Sequence, residues 1–177
     1  MAVSAELVSL GFLTSAFTVE IKNAPAGPDG ADEALFLFAP NTGEEPRRLA
    51  KIASGGELSR VLLAVKNALR DGAVQTLVFD EVDAGIGGTV AEKVGERLAA
   101  LAGDCQVICI THLPQIASMT RNHMVVEKRE SGGRTVTGVR KLAGEERVAE
   151  LARMLGSAEK SNAAYVHAAK LAERCAN

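Results

Sequence analysis

The sequence is poor in aromatic residues. It has no tryptophan, one tyrosine and five phenylalanines among 177 residues. Proteins that hold single-stranded nucleic acid by base stacking need aromatic rings along the binding groove, so this composition argues against that function. The net charge of −2 also provides no overall basic field to attract nucleic acid.

Cysteines and long apolar runs are scarce as well. The three cysteines are an odd number without metal-ligand spacing, and Cys105 and Cys109 share one predicted strand and cannot bridge each other. This pattern favours a reducing, cytoplasmic setting. No apolar stretch reaches the roughly 18 residues of a membrane helix, and no signal peptide is visible, so we expect a soluble protein.

The chain also lacks a phosphate-binding loop. The pattern Gly-x-x-x-x-Gly-Lys-Ser/Thr is missing, because no glycine is followed by lysine anywhere. No heptad segment is long enough for a coiled coil. A length of 177 residues with 47% apolar content suits one globular domain with a sizeable core.

Residues 54–60, Ser-Gly-Gly-Glu-Leu-Ser-Arg, lie directly before an apolar helical run. The first turn of a helix exposes unpaired N–H groups and attracts phosphate, and glycine allows a bulky anion to approach. Ser54 and Glu57 also fit a capping box, which needs no ligand. Both interpretations can hold, but Gly55 and Gly56 favour the anion site because they weaken a helix without aiding the cap.

Two predicted strands end in polar residues. Residues 75–79 form an apolar run followed by Asp80, Glu81 and Asp83, and residues 106–111 lead to His112. Adjacent carboxylates at the carboxyl end of a buried strand are costly unless they hold a metal or activate water, and ligands of open α/β sheets bind there. A solvated acidic loop and a structural histidine are the alternatives.

The three motifs together resemble those of ATP-binding-cassette ATPases. Their residues are most similar to the motifs of the SMC-like branch, which maintains chromosomes. Residues 54–60 resemble the signature loop, 76–81 the Walker B strand with its catalytic glutamate, and 83–85 the D-loop, and His112 stands where the switch histidine is expected. The resemblance extends from about residue 17 to the C-terminus. It implies a bacterial, nucleoid-associated ATPase acting in double-strand break repair and recombination.

The resemblance assigns roles to the strand-end residues. Asp80 is the expected partner of Mg²⁺, through water, and Glu81 the expected catalytic base or water orienter. His112 is expected to contact the γ-phosphate or the attacking water. Asp83 is expected to report across a dimer interface.

The resemblance also assigns a role to the signature residues. Ser54, Gly55, Gly56 and Glu57 are expected to bind the γ-phosphate of an ATP held by a partner subunit. The implied partners are an N-terminal lobe that carries the phosphate loop, a second head in an ATP-dependent homodimer, and DNA. For this chain alone we expect little or no hydrolysis.

The expected fold class is α/β, the C-terminal lobe of a P-loop ATPase head with a mixed, mostly parallel sheet flanked by helices. Residues 1–16 are predicted to be the end of a coiled coil and its connection, and residues 17–177 the lobe. The predicted strands are 17–23, 34–39, 76–80, 106–111, 123–129 and 134–142. The predicted helices are 2–10, 56–70, 88–102, 145–155 and 159–175, with Gly156 as a stop and polar loops at 24–30 and 41–48.

Other interpretations remain open at this stage. Asp80 to Asp83 also fits the Asp-Glu-x-Asp box of helicases, although helicases lack the upstream Ser-Gly-Gly-Glu helix start. A non-hydrolysing scaffold or DNA-binding head module is another candidate, which Glu81 argues against. Two basic clusters could be solvated faces or contacts to nucleotide or DNA: Arg47, Arg48 and Lys51, and Lys128, Arg129, Arg134, Arg140 and Lys141.

Overall fold

The computed structural model of the chain describes residues 2–12, 16–28, 30–51, 54–69, 75–131, 133–156 and 163–174. The helices are α1 (Ala2–Ser9), α2 (Gly55–Leu69), α3 (Gly88–Leu101), α4 (Pro114–Ala117), α5 (Gly144–Met154) and α6 (Ala163–Glu173). The strands are β1 (Ala16–Gly27), β2 (Gly30–Ala39), β3 (Arg47–Arg48), β4 (Thr76–Phe79), β5 (Gln106–Cys109), β6 (His123–Ser131) and β7 (Arg134–Leu142).

The chain divides into two compact units, Met1–Ile110 and Thr111–Asn177. Helix α1 belongs to the first unit, where it packs on α2 and α3. The separation at residues 16 and 17 stays a prediction. None of the helices in the described ranges combines the length and the apolar character needed to cross a bilayer.

The α/β class is confirmed, and the strands in the described part of the chain form three small sheets. Strands β1, β2 and β3 are antiparallel, β4 and β5 are parallel, and β6 and β7 form an antiparallel hairpin. The expectation of one mostly parallel sheet therefore holds only for β4 and β5. A hairpin pairs with itself and is necessarily antiparallel, whereas strands joined by a crossover helix, here α3, become parallel.

Two predicted loops are partly strand. Most of residues 24–30 extends β1 and β2, with a register shift between Asn23 and Gly27. Pro25 is tolerated there because β1 is an edge strand. Within the predicted loop 41–48, Arg47 and Arg48 pair with Phe38 and Leu37 as β3.

Helix α2 begins and ends within a residue of its predicted bounds, apart from Arg70, which lies outside the described residues. Its buried positions recur every three or four residues and are Gly56, Arg60, Val61, Leu63, Ala64 and Asn67. This spacing is that of one helix face turned toward a core. The face carries an arginine as well as apolar groups.

Strands β4 and β5 end slightly earlier than predicted. Strand β5 ends at Cys109, and the hydroxyl of Thr111 accepts a hydrogen bond from the amide of Leu113 at 3.0 Å. This local bond turns the chain before Pro114, which begins α4.

The second unit joins the β6–β7 hairpin to helices α4, α5 and α6. Its apolar cluster contains Ala117, Leu151, Ala152 and Ala168. Gly156 stops α5 in the left-handed region at φ +86°, as predicted. Residues 159–162 and 175 of the last predicted helix lie outside the described residues.

Candidate functional site

Asp80 and Glu81 directly follow β4 and lie at its carboxyl end. The amide of Glu81 donates a hydrogen bond to Asp80 Oδ1 at 2.9 Å, which orients the Asp80 carboxylate. Both residues are exposed. Glu81 has a φ of +55° and is the only non-glycine residue with positive φ in the described part of the chain. A left-handed glutamate is strained by about 1 kcal/mol, so its surroundings must hold it there.

The first turn of α2 begins at Ser54, as the capping motif predicts. The amide of Glu57 donates to Ser54 Oγ at 3.4 Å, and the amide of Leu58 donates to the Ser54 carbonyl at 3.1 Å. The hydroxyl bond is long, which makes this a weak cap. Ser54 is exposed, so a ligand has access to its hydroxyl.

The same helix turn packs directly on the loop formed by residues 80–84. A Cβ added at Gly56 would lie 2.9 Å from the Glu81 carbonyl oxygen and 2.8 Å from Ala84 Cβ. A Cβ at Gly55 would collide with the Glu81 carboxylate. The backbone approach requires a glycine at position 56, a reason that the sequence did not reveal, whereas at position 55 the exposed Glu81 side chain could move aside.

We expect Gly56→Ala to destabilise the protein by about 1–3 kcal/mol, because the neighbouring atoms are backbone or backbone-proximal and cannot turn aside. Helix propensity alone predicts the opposite sign, since alanine is favoured over glycine by about 1 kcal/mol. Chemical denaturation of both proteins measures the difference.

Gly138→Ala is the control, because a Cβ there meets no atom within 4 Å. Its unfolding free energy should stay within about 0.5 kcal/mol of the unmodified protein. A stabilised Gly56→Ala protein would contradict the close packing of α2 on the loop.

Ser59 and Arg60 of α2 bind the carbonyl groups of the same loop. Ser59 Oγ donates to the Asp80 carbonyl at 2.8 Å. Arg60 Nη1 donates to the Val82 carbonyl at 3.3 Å and to the Ala84 carbonyl at 2.9 Å. The bonded carbonyls are on alternate residues, so they lie on both sides of the strained Glu81.

Arg60 itself is buried, with 7% of its surface exposed. Burial lowers the pKa of its guanidinium, and the charge of Glu57 partly opposes that shift. The guanidinium carbon lies 5.2 Å from the centre of the Phe12 ring, a cation–π distance. Phe12 in turn packs edge-on against Phe38 with ring centres 5.1 Å apart.

Asp83 is 3% exposed, the most buried acid of the motif. Cys109, at the end of β5, lies close enough to Asp83 and Asp80 for their charges to affect its thiol. Burial first, and then the charges of Asp83 and Asp80, raise the pKa of the Cys109 thiol to about 12. Cys109 is therefore a neutral thiol near neutral pH and a poor nucleophile. Cys105 and Cys109 are both free, as predicted.

The structure thus brings together Asp80, Glu81, Asp83 and the signature turn at Ser54, Gly55, Gly56 and Glu57 in the first unit. His112 lies in the second unit and is exposed. Within the described ranges, no three His, Cys, Asp or Glu side chains form a metal cluster. Mg²⁺ does not need one, since it is commonly held by one or two carboxylates, water and substrate phosphates.

Three of the eight basic residues noted in the sequence take part in ion pairs that the structure describes. Arg48 lies 3.7 Å from Glu33. On the hairpin, Arg129 and Arg140 both pair with Glu127, and Arg140 also contacts Glu146 at 2.8 Å. These contacts fit a solvated, charge-balanced surface.

Sequence reasoning missed the part played by Arg60. A usable signal was present: Arg60 falls on the apolar stripe of α2, four residues after Gly56 and three before Leu63. A charged group at such a position must find polar partners inside the protein. The sequence did not show that those partners are carbonyl groups beyond β4.

No protein-family model matches the chain. Solved structures similar to it include the Smc head domain with a coiled coil and joint derived from Pyrococcus yayanosii, at a TM-score of 0.63 and 22% identity over 86% of this chain and 28% of that one. The Smc head domain derived from Pyrococcus furiosus has a TM-score of 0.56 at 20% identity, covering 88% of this chain and 37% of that one. These likenesses show that the chain has the fold of part of an Smc head domain.

Curated relatives are much more similar in sequence. The DNA repair protein RecN of Streptomyces coelicolor is 51% identical over 148 residues, which are 83% of this chain and 26% of that protein. RecN of Treponema pallidum is 46% identical over 92% of this chain and 30% of that protein. RecN of Mycobacterium bovis is 41% identical over 99% of this chain and 33% of that protein. The chain therefore spans a third or less of these relatives' length, and it belongs to the RecN family.

Proposed function

We propose that this chain is the C-terminal half of an SMC-like ATPase head that binds and hydrolyses ATP, with head dimerisation, in DNA double-strand break repair. The observation that carries the proposal is the meeting of two motifs in one unit. The carboxylates after β4 lie against the first turn of α2, and Gly56 is in contact range of Glu81 and Ala84. This close approach supports the proposal, because the proposed base lies beside the helix start that is proposed to bind the anion.

Glu81 is proposed as the base or water orienter and Asp80 as the Mg²⁺ partner. Both side chains are exposed at a strand end, and the Asp80 carboxylate is oriented by the Glu81 amide, which suits a hydrated magnesium ion. When bound, Mg²⁺ with ATP supplies charge neutralisation on the phosphates. Glu81 holds a water in line and accepts its proton. His112 is proposed to contact the γ-phosphate or that water.

The signature turn is proposed to receive the nucleotide of a second head. Ser54 is exposed and the helix start provides N–H groups, which support binding of a γ-phosphate by Ser54, Gly55, Gly56 and Glu57. Asp83 is proposed to sense the dimer interface. Its burial within the loop of residues 80–84 is compatible with a positioning role.

The outer face of the parallel pair supports a further lobe. Val78, Ile108 and Ile110 alternate along β4 and β5 and the residue that follows, and they are 63%, 47% and 57% exposed. Large apolar side chains grouped on one sheet face indicate a surface that another part of a protein covers. We propose that an N-terminal lobe with the phosphate loop covers it. DNA and a second head are the other proposed partners, and the bacterial nucleoid is the proposed location.

We expect this chain alone to bind Mg-ATP no tighter than about 1 mM, because it lacks the loop that makes most phosphate contacts. Titration calorimetry of the chain, beside calorimetry and steady-state hydrolysis of the intact protein, is the measurement. Adding the separately produced N-terminal lobe should restore binding. Micromolar binding by the chain alone would contradict the split site, and an intact protein without ATPase activity would favour a non-hydrolysing scaffold.

A further inference from the structure

Arg60 combines two properties that packing alone does not require. Its side chain is buried, yet its donors are directed to carbonyl groups, those of Val82 and Ala84. A neutral side chain of similar length would fill the same space without the cost of desolvating a charge. The charged guanidinium of Arg60 therefore binds the backbone of the loop formed by residues 80–84.

That loop has a conformation that needs to be held. Glu81 lies in the left-handed region at φ +55°, where a non-glycine residue is strained. Ser59 binds the carbonyl just before Glu81 and Arg60 binds the carbonyl just after it. The two bonds therefore constrain the backbone on both sides of Glu81.

Arg60 is itself supported from the other side. The guanidinium carbon lies 5.2 Å from the centre of the Phe12 ring. Phe12 lies three residues after the end of α1, and its amide donates a hydrogen bond to the Leu7 carbonyl at 3.0 Å. The ring is fixed by its edge-on contact with Phe38. A continuous set of contacts thus runs from the end of α1 through Phe12 and Arg60 to the loop.

We propose that Arg60 is a positioning residue for ATP hydrolysis, which holds residues 80–84 so that Glu81 faces its water, and that Phe12 steadies it from the end of α1. This inference rests on the function proposed above. Arg60 touches backbone carbonyls and an aromatic ring, so its effect on the reaction is transmitted through Glu81.

The test uses the intact protein with Arg60→Met, which keeps the apolar stem, and Arg60→Lys, which keeps the charge without the fork of donors. We expect Arg60→Met to lower kcat by about tenfold or more with KM for ATP changed less than about threefold, since Arg60 acts on the base. Arg60→Lys should recover part of the loss. Amide hydrogen exchange of residues 81–86 should speed up in both variants.

Lys66→Met on the same helix is the control and should leave kcat and exchange unchanged. Glu81→Gln separates this inference from the proposed function. In the double variant, Arg60→Met should lower the residual rate of Glu81→Gln no further, because both substitutions act through the Glu81 carboxylate. If Glu81→Gln abolishes turnover while Arg60→Met and Arg60→Lys keep kcat within about twofold, the positioning role is wrong. Should Arg60→Met fail to fold, an unchanged kcat and exchange in Arg60→Lys and Phe12→Leu overturns it equally. Full activity of Glu81→Gln would instead overturn the proposed function.

Discussion

Replacing Glu81 with glutamine in the intact protein should reduce ATP turnover by about 10²- to 10⁴-fold, the usual contribution of a general base. The amide keeps the size and polarity of the side chain, so it still orients a water. It cannot accept the proton that the water must lose. ATP binding should survive, and ATP-bound dimers should accumulate because they form but do not resolve.

Steady-state hydrolysis, equilibrium ATP binding and light scattering of the same preparations measure these effects. Glu130→Gln is a matched control, since Glu130 is exposed on the hairpin of the second unit and has no proposed role. It should hydrolyse ATP like the unmodified protein. A Glu81→Gln protein with nearly normal turnover would show that another group is the base.

Replacing Ser54 with arginine should abolish ATP-driven head dimerisation while leaving the fold and monomer ATP binding intact. Ser54 is exposed at the start of α2, and its cap bond to the Glu57 amide is long at 3.4 Å. Losing that cap should cost only about 1 kcal/mol. The long arginine side chain fills the space in which the partner-held phosphate is proposed to lie.

Ser54→Ala separates the two roles of this residue, because it removes the cap without adding bulk. Light scattering with ATP, ATP affinity and melting temperature should show that Ser54→Ala still dimerises and Ser54→Arg does not. Normal dimerisation of a folded Ser54→Arg protein would show that Ser54 acts only as a helix cap. A loss of ATP affinity in the monomer would place the nucleotide in the same chain instead.

The elements around the site were predictable because local patterns determine them. The apolar run before Asp80 forms β4, the three- and four-residue spacing after Ser54 forms α2, and Gly156 ends α5 in a left-handed conformation. Each of these depends on side chains near in sequence, which interact along one helix face or one strand.

The strands around the first hairpin were predicted less well. Residues 24–30 read as a loop because proline and glycine are frequent there, yet β1 and β2 continue through most of them. Arg47 and Arg48 form β3 only because β2 offers its free edge. Strand pairing satisfies backbone groups whatever the side chains are, so composition alone does not show it.

The sequence by itself determined the order of the motifs, the helix that begins at the signature turn, and the carboxylates at the end of β4. Only the tertiary structure decided why Gly56 must lack a side chain, why Glu81 holds a left-handed backbone, and where the buried Arg60 finds its acceptors. These three depend on residues 80–84 lying against α2, more than twenty positions away along the chain. Contacts at that separation form only when the whole unit folds, because close packing and hydrogen bonding depend on distance in space.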